Sequence, residues 1–356
     1  WYSTDSGATN SSVNNVGINF TGLSSPGGEN IWIVYCNDSS GNIGSDTVNF
    51  TSSVPVIALS SVSPNQNINV TQNETFTVSV TVSCTNNDCG EVNVSLDPVA
   101  NTQYNFTTCG TSGKDGPNQS QCDTNYTGTN LNGLVTVNGG IQNWTVPSTG
   151  TYTIETYGAS GGDGSLSEPG YGARMKGDFE LTAGTVLSII VGQKGSVGSG
   201  EAGGGGGGTY VWDSVLNDPL IIAGGGGGTG DQSQAGGNDD GKNASNETSG
   251  TADGSGGGAG GTNGTGGSSA GSGGAGAGWL TDGADGAAST GGHTPSNGGM
   301  GGDKVTDGGF GGGGADGDAS TGSDSEGGGG GGGYSGGGAS GSSSDAGGGG
   351  GGSLNN

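Results

Sequence analysis

The sequence predicts an all-β chain: β-sandwich modules in front, and behind them a β-sandwich carrying a bundle of polyglycine II helices. Three observations lead there. Of 356 residues, 91 are Gly, and 75 of these follow residue 150. The front part alternates apolar and polar residues with a period of two. In the back part, glycine runs at 203–208, 224–228, 311–314, 327–333 and 347–352 are interrupted by short strands rich in Val, Ile, Trp and Tyr.

Residues 1–53 end in the strand-like run Asn30–Cys36, a turn-rich stretch Asn37–Asn42 and a second run Thr47–Thr51, a hairpin pattern. They look like the last strands of an immunoglobulin-like module of prokaryotic, archaeal-type surface proteins. A full sandwich needs about 90–100 residues, so this module is expected to be partial, its missing strands either lying upstream or supplied by another chain. The polar stretch Trp1–Leu23, with Val16, Ile18 and Phe20, is a candidate for strand donation to another copy. Residues 54–142 read as a fuller immunoglobulin-like sandwich. Val54–Leu59 opens it, Phe76, Val78, Val80 and Val82 alternate with polar residues, and Val92, Val94 and Leu96 alternate after the CTNNDCG turn.

From residue 143 to 356 the pattern changes. The run Trp144–Gly158 gives two strands around a Pro/Gly turn, and further strand-like runs follow at Gly170–Leu181, Val186–Gln193, Thr209–Trp212 and Pro219–Ala223. The glycine runs fit polyglycine II helices. That geometry has three residues per turn and no internal hydrogen bonds, so every backbone group needs an outside partner. Without Cβ atoms, neighbouring helices can approach backbone to backbone.

The series TYTIETYGASGG (151–162), GYGARMKGDFELTAGTVLSIIVGQKG (170–195), GGGGGGTYVW (203–212) and PLIIAGGGGG (219–228) resembles the glycine-rich ectodomain region of anaplastic lymphoma kinase and leukocyte tyrosine kinase. The resemblance covers about residues 143–352 and is strongest in 151–228. It implies a TNF-like β-sandwich carrying polyglycine helices. No kinase segment, membrane span or cysteine accompanies it here, so the resemblance carries the fold and not the signalling.

Six Lys and Arg stand against 32 Asp and Glu, a formal net charge of −26. With no basic patch to neutralise phosphates, nucleic-acid binding is excluded, and an anionic membrane surface would repel the chain. No apolar run reaches the 18 or more residues of a membrane span, and a start at Trp1 reads as a processed product. All five cysteines precede residue 123. Cys84, Cys89, Cys109 and Cys122 are read as disulfide cysteines of an oxidising, extracellular compartment, leaving Cys36 over. Zinc is disfavoured because the single His, His293, lies far from them.

Fourteen Asn-x-Ser/Thr sequons are candidate N-glycosylation sites: Asn10, Asn19, Asn37, Asn49, Asn69, Asn73, Asn93, Asn105, Asn118, Asn125, Asn143, Asn243, Asn246 and Asn263. GADGAAST (283–290) and GGADGDAST (313–321) bear a faint likeness to calcium-binding repeats but lack their aliphatic position, so no metal site is assigned. No nucleophile elbow, phosphate loop or histidine relay is present, and the chain is expected to be non-enzymatic, without cofactors beyond glycans. The leading expectation is a secreted structural glycoprotein that self-associates into a surface filament. The alternative is an adhesin or lectin-like module that binds cell-surface glycans, with Trp279, Phe310 and Tyr334 as apolar anchors at the bundle tips or as plugs sealing its ends. A receptor-type ligand domain is a third option.

Overall fold

The computed structural model describes residues 1–4, 9, 11, 21, 23–25, 27–52, 56–63, 77, 79–85, 102–164, 167–197, 202–230, 239–253, 257–287, 289–304, 306–317, 327–341 and 346–356. Among these the chain is all-β, with antiparallel sheets that do not close and a single α-helix. It divides into two compact units, Trp1–Val99 and Ala100–Asn356.

The first unit contains a sheet in the order β1 (Tyr2–Ser3), β2 (Gly28–Asn37), β3 (Ile43–Ser52), and a separate pair, β4 (Val56–Ser63) with β5 (Ser79–Thr85). The β2–β3 hairpin runs in unbroken register from Gly28 opposite Ser52 to Asn37 opposite Ile43. Its turn is fixed by Asp38, whose carboxylate accepts from Ser40 N, Asn42 N and Asn42 Nδ2 at 2.7–2.9 Å. Those bonds also hold the Asp38 carboxyl below the usual carboxylate range. Trp32 meets Phe50 edge to face, with ring centroids 5.1 Å apart. Of the stretch considered for strand donation, Tyr2 and Ser3 pair with Val34 and Ile33 of their own chain. The described residues of this unit form these two small sheets; residues 64–76, 78 and 86–101 of the expected sandwich lie outside the described residues.

The boundary falls before Ala100 rather than after residue 142. Residues 102–145 belong to the glycine-rich unit because they build one edge of its main sheet. That sheet has the order β13–β12–β11–β10–β7–β6, from β6 (Val135–Asn138), β7 (Ile141–Thr145), β10 (Val186–Ile190), β11 (Thr209–Asp213), β12 (Asp218–Ala223) and β13 (Leu354–Asn355). A second sheet pairs β8 (Gly150–Tyr157) with β9 (Arg174–Leu181). The only α-helix among the described residues, α1 (Gln119–Asn125), begins at a capping box in which Asn118 and Gln121 satisfy each other's backbone N–H.

Strand alternation splits the main sheet between two cores. Leu187, Ile189, Val211 and Ile221 face Trp144, Phe179, Leu181, Tyr126 and the Cys109–Cys122 disulfide. Ile190, Tyr210, Trp212 and Ile222 face the other way and close over Phe310.

The glycine runs are buried and carry neither helix nor strand assignment. Along 203–208 the backbone N–H groups donate in turn to the carbonyls of Thr229, Ser196, Gly314, Gly226, Gln193 and Gly311 at 2.8–3.2 Å. The acceptor segment therefore recurs every third residue. The same rotation holds along 225–230, whose N–H groups reach Gly332, Ala159, Lys242, Gly329, Gly162 and Asp239. A β-carbon on Gly205, Gly207, Gly226 or Gly331 would fall inside a neighbouring carbonyl oxygen, which is why these positions tolerate only Gly.

Candidate ligand-binding site

Three segments of the glycine-rich unit converge on a pocket of about 270 Å³, lined by Trp212, Asn217, Trp279, Leu280, Pro295 and Ser296. Trp212 comes from β11. Asn217 closes the β11–β12 turn in left-handed conformation (φ 53°), its N–H donating to Asp213 O at 2.9 Å. Asp213 Oδ1 accepts from Val215 N and Leu216 N at 2.8 and 2.9 Å, so the turn is internally fixed.

Trp279 and Leu280 sit on a turn pinned by its backbone. Trp279 N donates to Tyr334 O at 2.8 Å and Leu280 N to Gly264 O at 2.7 Å. The Trp279 ring lies edge to face with Trp212 at 5.7 Å and tilted over Tyr210 at 6.4 Å. Tyr210 is fully buried and donates its hydroxyl to Gly333 O at 3.0 Å. Burial pushes its phenol well above the usual range, outweighing that bond.

The third wall is the 3₁₀ turn Pro295–Asn297, capped by Thr294 and ended by left-handed Gly298. Asp282 anchors it, accepting from Thr294 N and Asn297 Nδ2 at 2.7 Å, with His293 Nδ1 3.2 Å away. Partial burial pushes the Asp282 carboxyl up, but the bonds from Thr294, Asn297 and His293 outweigh it and hold it below the usual range.

Of the three rings read as tip anchors or as plugs, Phe310 is fully enclosed, a plug, while Trp279 and Tyr334 are half-buried on the second core. Trp212, Asn217 and Ser296 were not singled out in the sequence, since only the fold brings them beside Trp279. Cys109 and Cys122 form the expected disulfide. Cys84 is also disulfide-bonded, Cys89 lies outside the described residues, and Cys36 is free and exposed. Asn37, Asn49, Asn105, Asn118, Asn125, Asn243, Asn246 and Asn263 are exposed and Asn143 is half-buried; the other five sequons lie outside the described residues.

Among the described residues, no group of three or more His, Cys, Asp or Glu is placed to hold a metal ion. Asp285 and Asp316, in the two stretches weighed for calcium, accept from the N–H groups of Gly291 and Thr306. Among the same residues no helix is long and apolar enough to cross a membrane.

This arrangement defines a glycine-rich β module with a small aromatic pocket at one end of its main sheet. No family model matches the chain. A stretch of 97 residues is 43% identical to the leukocyte tyrosine kinase receptor of Mus musculus, a match that takes in 25% of this chain and 11% of the receptor. The similarity to a receptor and the Cys109–Cys122 disulfide are consistent with an extracellular location.

Proposed function

We propose that the chain is an extracellular, non-catalytic glycoprotein whose glycine-rich unit is a rigid platform displaying the Trp212–Trp279 pocket to a ligand. The observation that carries this reading is the convergence of three separately anchored segments on one open pocket. Binding sites hold their geometry when each wall is locked by hydrogen bonds behind it, as the backbone bonds of Trp279 and Leu280 and the carboxylates of Asp213 and Asp282 do here. The three-residue rotation of backbone donors along 203–208 and 225–230 supports polyglycine II helices as the platform, because three residues per turn sends successive N–H groups to three neighbours. N-linked glycans on the exposed sequons complete the reading.

The test is binding of the fluorescently labelled intact chain to intact bacterial and animal cells by flow cytometry. Saturable binding that Trp279→Ala removes is the expected result. Absence of binding to every cell type overturns the display reading.

A second reading, self-association into a filament, is favoured by one observation. Strand β3 is an edge strand whose exposed Ile43 and Val48 lie on the hairpin that carries the free thiol of Cys36. Negative-stain images of the intact chain test it: regular fibres sensitive to Cys36→Ser support it, and discrete particles at all concentrations sink it.

A further inference from the structure

We propose that the Trp212–Trp279 pocket binds a neutral sugar ring, an inference that rests on the display reading above and names its ligand. Four features of the pocket point to that chemistry.

First, it offers an aromatic wall. Trp279 is half-exposed and its ring is immobilised against Trp212 and Tyr210. The negative face of an indole attracts the weakly positive C–H groups that line one side of a pyranose, without demanding a charge.

Second, it offers donors with nothing to bond to. Among the described residues neither Trp212 Nε1 nor Trp279 Nε1 has an acceptor, and neither is sealed from solvent as Trp144 Nε1 is. The Asn217 amide makes no side-chain hydrogen bond either, although its backbone is held in the left-handed region. Ser296 Oγ shares a 3.0 Å contact with Thr294 Oγ1 and keeps further bonding capacity. Indole, amide and hydroxyl groups around an apolar wall match the alternation of hydroxyls and C–H faces on a sugar.

Third, the electrostatics select against anions. The chain carries a net charge of −26, and Asp213 and Asp282 stand on two of the three segments that form the pocket. A sialic acid or sulfated sugar meets like charge there. A quaternary ammonium is the rival that aromatic rings and acidic surroundings would welcome, but the unpartnered N–H groups present positive hydrogens, which favour hydroxyl oxygens over a cation.

Fourth, the size fits one ring. The volume of about 270 Å³ lies just below the roughly 300–1,000 Å³ of small-ligand pockets. Val215 and Leu216, 83% and 74% exposed, stand on the same β11–β12 turn as Asn217, so a longer glycan could continue along that turn.

The experiment is saturation-transfer NMR and tryptophan-fluorescence titration of the intact chain. The probes are the methyl glycosides of glucose, galactose, mannose and N-acetylglucosamine, with sialic acid and choline as counter-probes. A single ring on so small a site gives a Kd of about millimolar. We expect at least one neutral glycoside to saturate, Trp279→Ala to weaken it roughly tenfold, and Trp279→Phe to restore part of the affinity. Saturation by choline alone, or by sialic acid in preference to every neutral glycoside, overturns the proposal. So does neutral-sugar binding that Trp279→Ala leaves unchanged while the melting temperature is also unchanged. The two readings separate through cell binding. Cell binding that depends on Trp279, survives periodate oxidation of surface glycans and comes without glycoside binding ends the sugar assignment but leaves display standing. Loss of both ends both.

Discussion

The ring of Phe310 occupies the place where a side chain on Gly116 would begin: a β-carbon there would lie 2.5 Å from Phe310 Cζ, and one on Gly140 would meet the same atom. Phe310 thus locks three pieces together, the disulfide loop, the β6–β7 turn and the glycine bundle, and its own N–H donates to Gly113 O at 2.7 Å. It is fully buried in the second core. Phe310→Ala is expected to cost about 3–5 kcal/mol of stability. Denaturant unfolding followed by tryptophan fluorescence measures it, and a loss below 1 kcal/mol would show that the plug is dispensable.

Glycine substitutions should sort by their surroundings rather than by their number. At Gly205 a β-carbon would run into Gly330 O and its carbonyl carbon, so Gly205→Ala must displace a neighbouring chain, with a cost of about 1–3 kcal/mol or more. At Gly150, which starts β8, nothing lies within 4 Å and φ is ordinary. There Gly→Ala should be neutral or stabilising by about 0.4–1 kcal/mol. Paired thermal melts decide between this account and one in which the glycine runs are a loose linker, where both changes would be neutral.

The contrast between what the chain announces and what it conceals follows from the range of the forces involved. Strands β8 to β12 are legible because each is a local β-rich run bounded by Gly or Pro, and the plug-or-tip question at Phe310 was posed correctly by an isolated ring among glycines. Helix α1 is not legible: QSQCDTN has no apolar period, and its fold rests on the Asn118–Gln121 cap and on Cys122 being tied to Cys109. Nor could the domain boundary be read locally. Ile141–Thr145 joins the glycine-rich unit only because it pairs with Val186–Ile190, some 45 residues away, as in Ser188 opposite Asn143. The pocket is the extreme case, since residues 212, 217, 279, 280, 295 and 296 are brought together by long-range backbone bonds and by the Asp282 carboxylate, contacts that no local sequence pattern announces.

Acid should loosen the third wall of the pocket before it unfolds the unit. Asp282 titrates below the ordinary 3.8 because its ionised form accepts from Thr294, Asn297 and His293. A group whose folded pKa is depressed contributes its stability fully above the unfolded value and loses it as pH falls through the folded one. The contribution is therefore intact at neutral pH and fades below 3.8, tempered by solvent because the side chain is partly exposed. Tryptophan fluorescence followed downward in pH should show a transition in that window that Asp282→Asn flattens. An unchanged acid transition in the variant would remove Asp282 from the account.

Reduction of Cys109–Cys122 removes the covalent tie from a loop that Phe310 and its neighbours also hold. The two residues are 13 apart in sequence, and loops of that size are stabilised by about 3 kcal/mol on cross-linking. Inside the loop, Thr111 Oγ1 and Asp115 O both accept from Gln193 Nε2, and Lys114 Nζ lies 2.7 Å from Asp303. These contacts should hold the loop near its native place, so the double Ser variant is expected to fold with a lowered melting temperature rather than fail to fold. Far-ultraviolet circular dichroism of the variant checks the fold and calorimetry the loss. An unchanged melting temperature would mean that the docking contacts alone fix the loop.

Sequon occupancy should follow the local geometry. Asn246 and Asn263 are exposed, and Asn263 sits in an exposed turn with φ 52°, positions where a glycan has room and covers no packed surface. Asn143 differs on both counts. It lies in β7 between β6 and β10, half-buried, and its Oδ1 accepts from Ser188 Oγ at 2.7 Å. A glycan on its amide nitrogen would have to leave from the middle of the main sheet, beside residues packed on the second core such as Ile141. Glycopeptide mass spectrometry of the secreted chain should therefore find Asn246 and Asn263 occupied and Asn143 bare. Occupancy at Asn143 would require that face of the sheet to stand open during secretion, and would place the closing of the glycine bundle over it after glycan transfer.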